Sequence, residues 1–439
     1  MEQTIKHLVD FVDASPTPFH AVENITNMLR AEGAISLDER EIWRLEPGAV
    51  YYVSRGGSAL IAFRLGLKPV SEGGLLLTGA HTDSPALRIR GEKTLSSNGY
   101  RRVALESYGS LILSGWLDKP LGVAGNVLLR ENNEIISRYY LSDEPIAVIP
   151  NLAIHLNREI NKGFEYNLHQ QMPALFGLSR SKKNTAIEAA KPLPSQSSEF
   201  IERIASDMDI SPDAIISTDL RFFDMQTSTI IDNSLINAPR LDDLAGCAAI
   251  IEAFLEAEAQ AATQVACFFD AEEIGSMTPG GAQSAYLRDI LARISLAYQN
   301  SGQDLYRALA RSACISVDAS QALHPGYPEK FDEFYSPILG NGIAIKANAN
   351  MNYATDIFSM KIAEEVAAKA KIPLQRYMAR ADIQPGKTIG PITASRTGIP
   401  TLDVGHPLLA MHAIRETISV SDHLAMIAFL QAFYAKEAR

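Results

Sequence analysis

Phe268-Phe269-Asp270-Ala271-Glu272-Glu273-Ile274-Gly275-Ser276 sets three acids within four residues, directly behind an apolar run. Thr263 to Phe269 is rich in β-formers and reads as a buried strand. Its carboxyl end is where open α/β sheets place their ligands, and Gly275 permits a sharp turn there. A Glu-Glu pair on a loop is ordinarily a solvated pair. Wedged between a core strand and a Gly-Ser turn, this one is a candidate for chemistry. Residues of matching character recur along the chain. His81-Thr82-Asp83 follows the run Leu75–Ala80, and a carboxylate two residues from an imidazole can hold its tautomer while the other nitrogen binds metal. Asp242 and Asp243 open an apolar helix, where capping alone would account for acids. Asp318 ends the run Ser312–Val317, and His412 lies in Met411-His412-Ala413-Ile414-Arg415-Glu416.

His81, Asp242, Glu273, Asp318 and His412 form a borderline-hard ligand set suited to Zn2+, Co2+ or Mn2+. Five ligands exceed what one tetrahedral site with an open position uses. Two ions about 3.5 Å apart sharing a carboxylate would use them all, as in two-metal hydrolases. No His-Glu-x-x-His occurs, which excludes a helix-borne single-zinc protease, and no Gly-x-Ser-x-Gly elbow supplies a serine nucleophile. Gly386-Lys387-Thr388 has the look of a phosphate-binding loop. Ala381 stands where that loop's first Gly belongs, and Pro391 is expected to interrupt the helix that should follow.

The elements that must position these residues alternate in type. Residues 4–32 predict two amphipathic helices broken at Ser15-Pro16-Thr17-Pro18. Residues 50–66 predict a hairpin around Gly56-Gly57, and 75–80 a short buried strand. From 88 to 232 the chain is β-rich and full of turns, with Tyr108–Leu113, Gly125–Leu129 and Ile146–Ile149 as strand candidates. A Lys/Ser/Pro-rich linker, Ser179–Ser198, precedes a helix at Glu199–Asp207 and a strand at Ala214–Phe223. Strand–helix alternation then resumes. A helix runs from Pro239–Gly246 to about Glu258 and another near 282–295. Strands are expected at Ser312–Val317, Ile343–Ala347 and Thr401–Val404, helices at 355–370 and 421–436, and a loop at Met411–Glu416. The expectation is an α/β catalytic domain built from 1–87 and 233–439, with 88–232 inserted as a β-rich second domain.

With 439 residues the chain exceeds one compact core, which agrees with two domains. Its 46% hydrophobic and 21% charged residues describe a globular protein rather than a disordered one. A net charge of −11 argues against nucleic acid or anionic membrane as a partner. Cys247, Cys267 and Cys314 are scattered in apolar runs and form no disulfide framework, which fits a reducing cytoplasm. Met1-Glu2-Gln3-Thr4 lacks a signal-peptide pattern, and no apolar run approaches membrane-spanning length.

Taken together, His81–Pro85, Pro239–Leu244, Asp270–Ser276, Asp318 with His324-Pro325, and Met411–Glu416 resemble the M18 aminopeptidase family, of the aspartyl-aminopeptidase type. Thr388-Ile389-Gly390-Pro391-Ile392 and Leu152-Ala153-Ile154-His155-Leu156 match as well, so the resemblance spans nearly the whole chain. It implies a di-zinc exopeptidase (phosphorylase/hydrolase-like) fold carrying an inserted dimerisation domain, with dimers assembled into a dodecamer. It also implies two Zn2+ per chain and removal of N-terminal residues from peptides, with a preference for Asp or Glu. By the same resemblance Asp242 bridges the metals, Glu273 and His412 complete one site, and His81 and Asp318 complete the other. Asp83 orients His81, and Glu272 is the general base on the bridging water. Lys346 meets an acidic first side chain, His324 binds substrate, and His155 reaches a neighbouring subunit's site to bind substrate or stabilise the oxyanion. Lys387, Gly326 and Asn352 depart from the family's pattern near the expected substrate pocket, which bears on acidic specificity and on no metal ligand. A broader-specificity di-metal aminopeptidase or a deacylase of N-acyl amino acids would share this metal set. An inactive scaffold would have no use for Glu272.

Overall fold

The computed structural model describes residues 2–178, 199–298 and 301–436. They divide into two units, one of Met1–Ser84, Ser228–Met411 and Arg415–Arg439, the other of Pro85–Thr227 with His412–Ile414. The expected linker Ser179–Ser198 lies outside the described residues.

In the first unit nine strands form one sheet, in the order Ile35–Ser36, Val50–Arg55, Ala59–Arg64, Thr263–Phe269, Leu75–His81, Ala313–Val317, Thr401–Gly405, Ile343–Lys346, Leu374–Tyr377. The four strands from Thr263–Phe269 to Thr401–Gly405 run parallel to one another. Leu75–His81 and Thr263–Phe269 are buried at every position, as parallel strands covered on both faces must be. Alternate side chains feed two cores. Leu76, Ala80, Phe268, Val317 and Leu402 pack with residues of the helices Glu2–Asp13, Pro18–Ala31, Leu241–Glu256 and Val420–Tyr434. Leu77, Val265, Cys267, Phe269 and Cys314 pack with residues of the helix Tyr286–Ala297.

From Leu75–His81 the chain adds its next strand of this sheet on one side and the following one on the other. That reversal of direction opens a crevice at the carboxyl edge, the usual ligand position in such sheets. His81 pairs with Phe269 there, and Val317 with Val404, so His81, the Asp270 turn and Asp318 emerge along one edge. A second sheet of this unit holds Thr229–Ile231, Leu235–Ala238, Glu416–Ser419, Pro407–Leu409 and Ser320–Gln321.

The second unit is a six-stranded antiparallel sheet, Glu134–Leu141, Leu121–Glu131, Ile215–Asp224, Ala86–Ser97, Tyr100–Tyr108, Ala174–Leu178, around a core that includes Leu87, Val123, Phe200 and Phe222.

Four local expectations are corrected. Tyr108–Leu113 is not a strand: Gly109 takes φ +71° and turns the chain, and Leu113–Trp116 is a 3-10 turn. Ile146–Ile149 makes only isolated bridges, Ala147 to Leu121 and Val148 to Leu175, because Pro145 and Pro150 on either side lack the N–H a ladder needs. Glu416 is not in a loop but begins a strand, paired with Ala238. Pro391 does not break a helix. Ile389–Thr397 is helical with Pro391 in its first turn, where the missing N–H has no partner to lose. No helix of the described residues is long and apolar enough to cross a membrane, and all three cysteines are free and buried.

Candidate metal centre

His81 closes the strand Leu75–His81 and is almost wholly buried. Its Nδ1 lies 2.9 Å from the backbone oxygen of Asp83 and 3.4 Å from that residue's Oδ1. This fixes the ring and turns Nε2 toward Asp242, whose Oδ1 is 3.5 Å away. The Asp83 carboxylate has a further task. Its two oxygens accept the backbone N–H of Glu272 at 3.0 Å and of Glu273 at 3.1 Å. The Glu272–Ile274 turn is thus held from outside its own sequence. Asp270 secures the turn's entry by accepting the Ala271 N–H at 2.7 Å and the Ser58 hydroxyl at 2.6 Å.

Asp242 and Asp243 enter the helix Leu241–Glu256 with non-helical backbone angles, so they are not helical cap residues of the ordinary kind. Asp242 donates its N–H to Glu416 Oε2 at 2.9 Å, and two residues back the Arg240 guanidinium donates to the carbonyls of Ser15 and Val12. Asp243 is fully buried, with Oδ2 3.4 Å from the His81 N–H and Oδ1 without a hydrogen-bond partner among the described residues. A Cβ at position 246 would collide with its carboxylate, which is why Gly246 stands there. Asp318 accepts the Lys346 ammonium at 2.9 Å, and Lys346 also donates to the Ala319 carbonyl at 3.0 Å.

Two groups of donor atoms fall within 4.8 Å of one another in the first unit: His81, Asp242 and Asp318, and His81, Glu272 and Glu273. Asp83, Asp242, Asp243, Asp318, Glu272 and Glu273 therefore crowd one imidazole, with Lys346 paired to Asp318. So many acids with so little solvent are costly as anions. Burial pushes the Glu272 carboxyl up to about 8, with His81 opposing and Asp318, Asp83 and Asp242 adding to the rise. Burial lifts Asp243 and Glu273 well above the usual carboxylate range and raises Asp318 against the pull of Lys346. For His81 burial acts downward, but hydrogen bonding to Asp242 and Asp83 prevails and the ring is held well above its ordinary value. The donor set fits divalent zinc: imidazole and carboxylates, more donors than one tetrahedral ion takes, and an excess of negative charge awaiting cations.

The remaining expected residues are placed in different ways. Lys346, on the strand Ile343–Lys346, is about 2% exposed. His324 is half-buried, its Nδ1 accepting the Gly326 N–H at 3.0 Å and its ring against Tyr327. His155 is exposed in a turn of the second unit. His412, with φ +66°, follows the strand Pro407–Leu409 and is grouped with the second unit. Sequence reasoning assigned no task to Asp243, Asp270 or Glu416. The one available signal for Glu416 was its place at the end of Met411–Glu416, since its bond to Asp242 spans 174 residues.

A profile of the family described as aminopeptidase I zinc metalloprotease (M18) matches residues 11–434. A relative named "Probable M18 family aminopeptidase 2" from Ectopseudomonas mendocina (strain ymp) is 38% identical over 436 residues, covering 99% of this chain and 98% of its own. Among solved structures, the Ape4 chain of an Ape4–Nbr1 complex is 32% identical with a TM-score of 0.91, covering 98% of this chain and 85% of its own. The S. cerevisiae mApe1 dodecamer is 27% identical with a TM-score of 0.84, covering 98% of this chain and 96% of its own.

Proposed function

From the premise that the chain belongs to the M18 zinc metalloprotease family and is a metallo-aminopeptidase, we propose that it removes acidic residues, Asp or Glu, from peptide N-termini with two zinc ions per chain. The observation that carries this reading is the gathering of buried carboxylates around His81 at the carboxyl edge of the parallel strands. In it, His81 and Asp318 would hold one ion, Glu273 and His412 would hold the other, and Asp242 would serve both. Bound there, zinc would supply an acidified water and polarise the scissile carbonyl.

Glu272 is the general base. It shares a turn with Glu273, yet only one of the pair is needed as a ligand, which leaves the other carboxylate for proton transfer. It takes a proton from the attacking water and delivers it to the leaving amine. Asp83 keeps both glutamates in place through their N–H groups. Two of the three Lys346 protons are engaged by Asp318 and Ala319, leaving one for the carboxylate of an acidic first residue. His324 contributes to substrate binding.

The chain works as a homo-oligomer, with dimers built into a dodecamer; the similar S. cerevisiae mApe1 is itself a dodecamer. His155 of a second copy completes each site, and the compartment is the cytoplasm, in keeping with three free thiols. The test is hydrolysis of Glu-, Asp-, Ala- and Leu-peptides beside their N-acetylated forms, before and after chelation. Free-amine acidic peptides are expected to be cleaved fastest, and only by metal-loaded protein. Faster cleavage of the N-acetyl forms would make the enzyme a deacylase.

A further inference from the structure

Asp403 is an acid with no part in the metal cluster, yet it is fully buried in the middle of the strand Thr401–Gly405. Its carboxylate is a knot between two distant segments. Oδ2 accepts the Ala354 N–H, and Oδ1 accepts the Thr388 hydroxyl at 3.0 Å. Its own N–H donates to Thr355 Oγ1 at 3.0 Å. Gly390 closes the arrangement, because a Cβ there would collide with the Asp403 carboxylate. The start of the helix Ile389–Thr397 and the stretch Tyr353–Thr355 are therefore both tied to one side chain.

What is tied leads to Lys346. Ile345 pairs with Val404 in antiparallel register, and continuing that register sets Lys346 across from Asp403. The Tyr353 ring, next to the pinned Ala354, faces the Lys346 ammonium at 5.3 Å and meets Tyr377 edge-on at 6.2 Å. Movement of Ala354 would carry Tyr353 away from the ammonium. The ring is thus part of the buried surroundings that any group bound at the Lys346 ammonium would have to fit.

We infer that Asp403 is a positioning residue for specificity: with Thr388 and Gly390 it holds Tyr353 against Lys346 and so sets the preference for the first residue of the substrate. The inference rests on the aminopeptidase reading. Thr388 works through Asp403, which makes Thr388→Val the milder probe and Asp403→Asn the direct one. The quantity to measure is the ratio of kcat/KM for Glu- over Ala-peptides in zinc-loaded protein, with zinc content and Tm recorded for each variant. Thr388→Val and Asp403→Asn are expected to lower that ratio at least fivefold at unchanged zinc content, and Thr388→Ser, which keeps the hydroxyl, to restore it. A purely structural knot would lower Tm and total activity but leave the ratio alone. An unchanged ratio in folded, zinc-loaded Thr388→Val overturns the inference even if Asp403→Asn does not fold. A wild-type protein that cleaves neither peptide overturns the aminopeptidase reading instead.

Discussion

Lys346→Met tests how charge is balanced at the centre. Methionine keeps the unbranched stem and removes the ammonium that sits 2.9 Å from Asp318 Oδ1 in a site closed to solvent. Removing one partner of a buried pair costs about 3–5 kcal/mol, because the other charge is stranded. That figure belongs to the metal-free protein. Once a dication lies against Asp318 the carboxylate is compensated without the lysine, and the loss shrinks to the bond with Ala319, about 1–2 kcal/mol. By linkage the difference, about 2–3 kcal/mol, appears as tighter metal binding, roughly 30- to 150-fold in Kd. The assay is competition for zinc between folded protein and a chromophoric chelator, with circular dichroism confirming the fold at each point. Cleavage of Glu-peptides should fall in the same variant while Ala-peptides are spared. Unchanged or weaker zinc affinity would refute the reasoning, since it would mean that Lys346 prepares Asp318 for the ion rather than competing with it.

Glu272→Gln should lower kcat by about 10²–10⁴ with zinc content intact; loss of zinc would instead make Glu272 a ligand. Mixing Glu272→Gln chains with His155→Phe chains should restore about a quarter of wild-type activity if a two-fold dimer shares its sites. No recovery above either parent sinks the shared site. Chelated protein should lose stability as pH rises. The folded Glu272 carboxyl titrates at about 8, above its ordinary value of 4.5, so the unfolded chain gives up that proton first and the folded state is penalised progressively between about 4.5 and 8. Asp243 and Glu273, raised in the same direction, add to this. Denaturation midpoints of the chelated form at pH 5, 6, 7 and 8 should fall relative to the zinc-loaded form, and parallel curves would contradict it.

Local pattern carried much of the fold. The helices Glu2–Asp13 and Pro18–Ala31, the hairpin across Gly56-Gly57 and the buried runs Leu75–His81 and Thr263–Phe269 follow from apolar spacing and turn residues, which depend on near neighbours alone. Where neighbours outside the run decide, the pattern misled. Ile146–Ile149 has strand composition but is flanked by prolines, and Glu416 joins a strand only because Ala238 lies beside it. Family membership was also legible, since it rests on residue types in a fixed order. What the linear order could not hold is which acid faces which group. Asp83 reaches Glu273 across 190 residues, Glu416 reaches Asp242 across 174, and Lys346 lies on Asp318. Those meetings require the strands Thr263–Phe269 and Ala313–Val317 to flank Leu75–His81 in one register. Two cores packed against opposite faces of the sheet hold that register, and a one-residue slip would turn each side chain to the other face. The supply of carboxylates is therefore a property of the sequence, whereas their pairing, burial and raised proton affinity belong to the tertiary structure, because desolvation and Coulomb energy depend on distances that only packing sets.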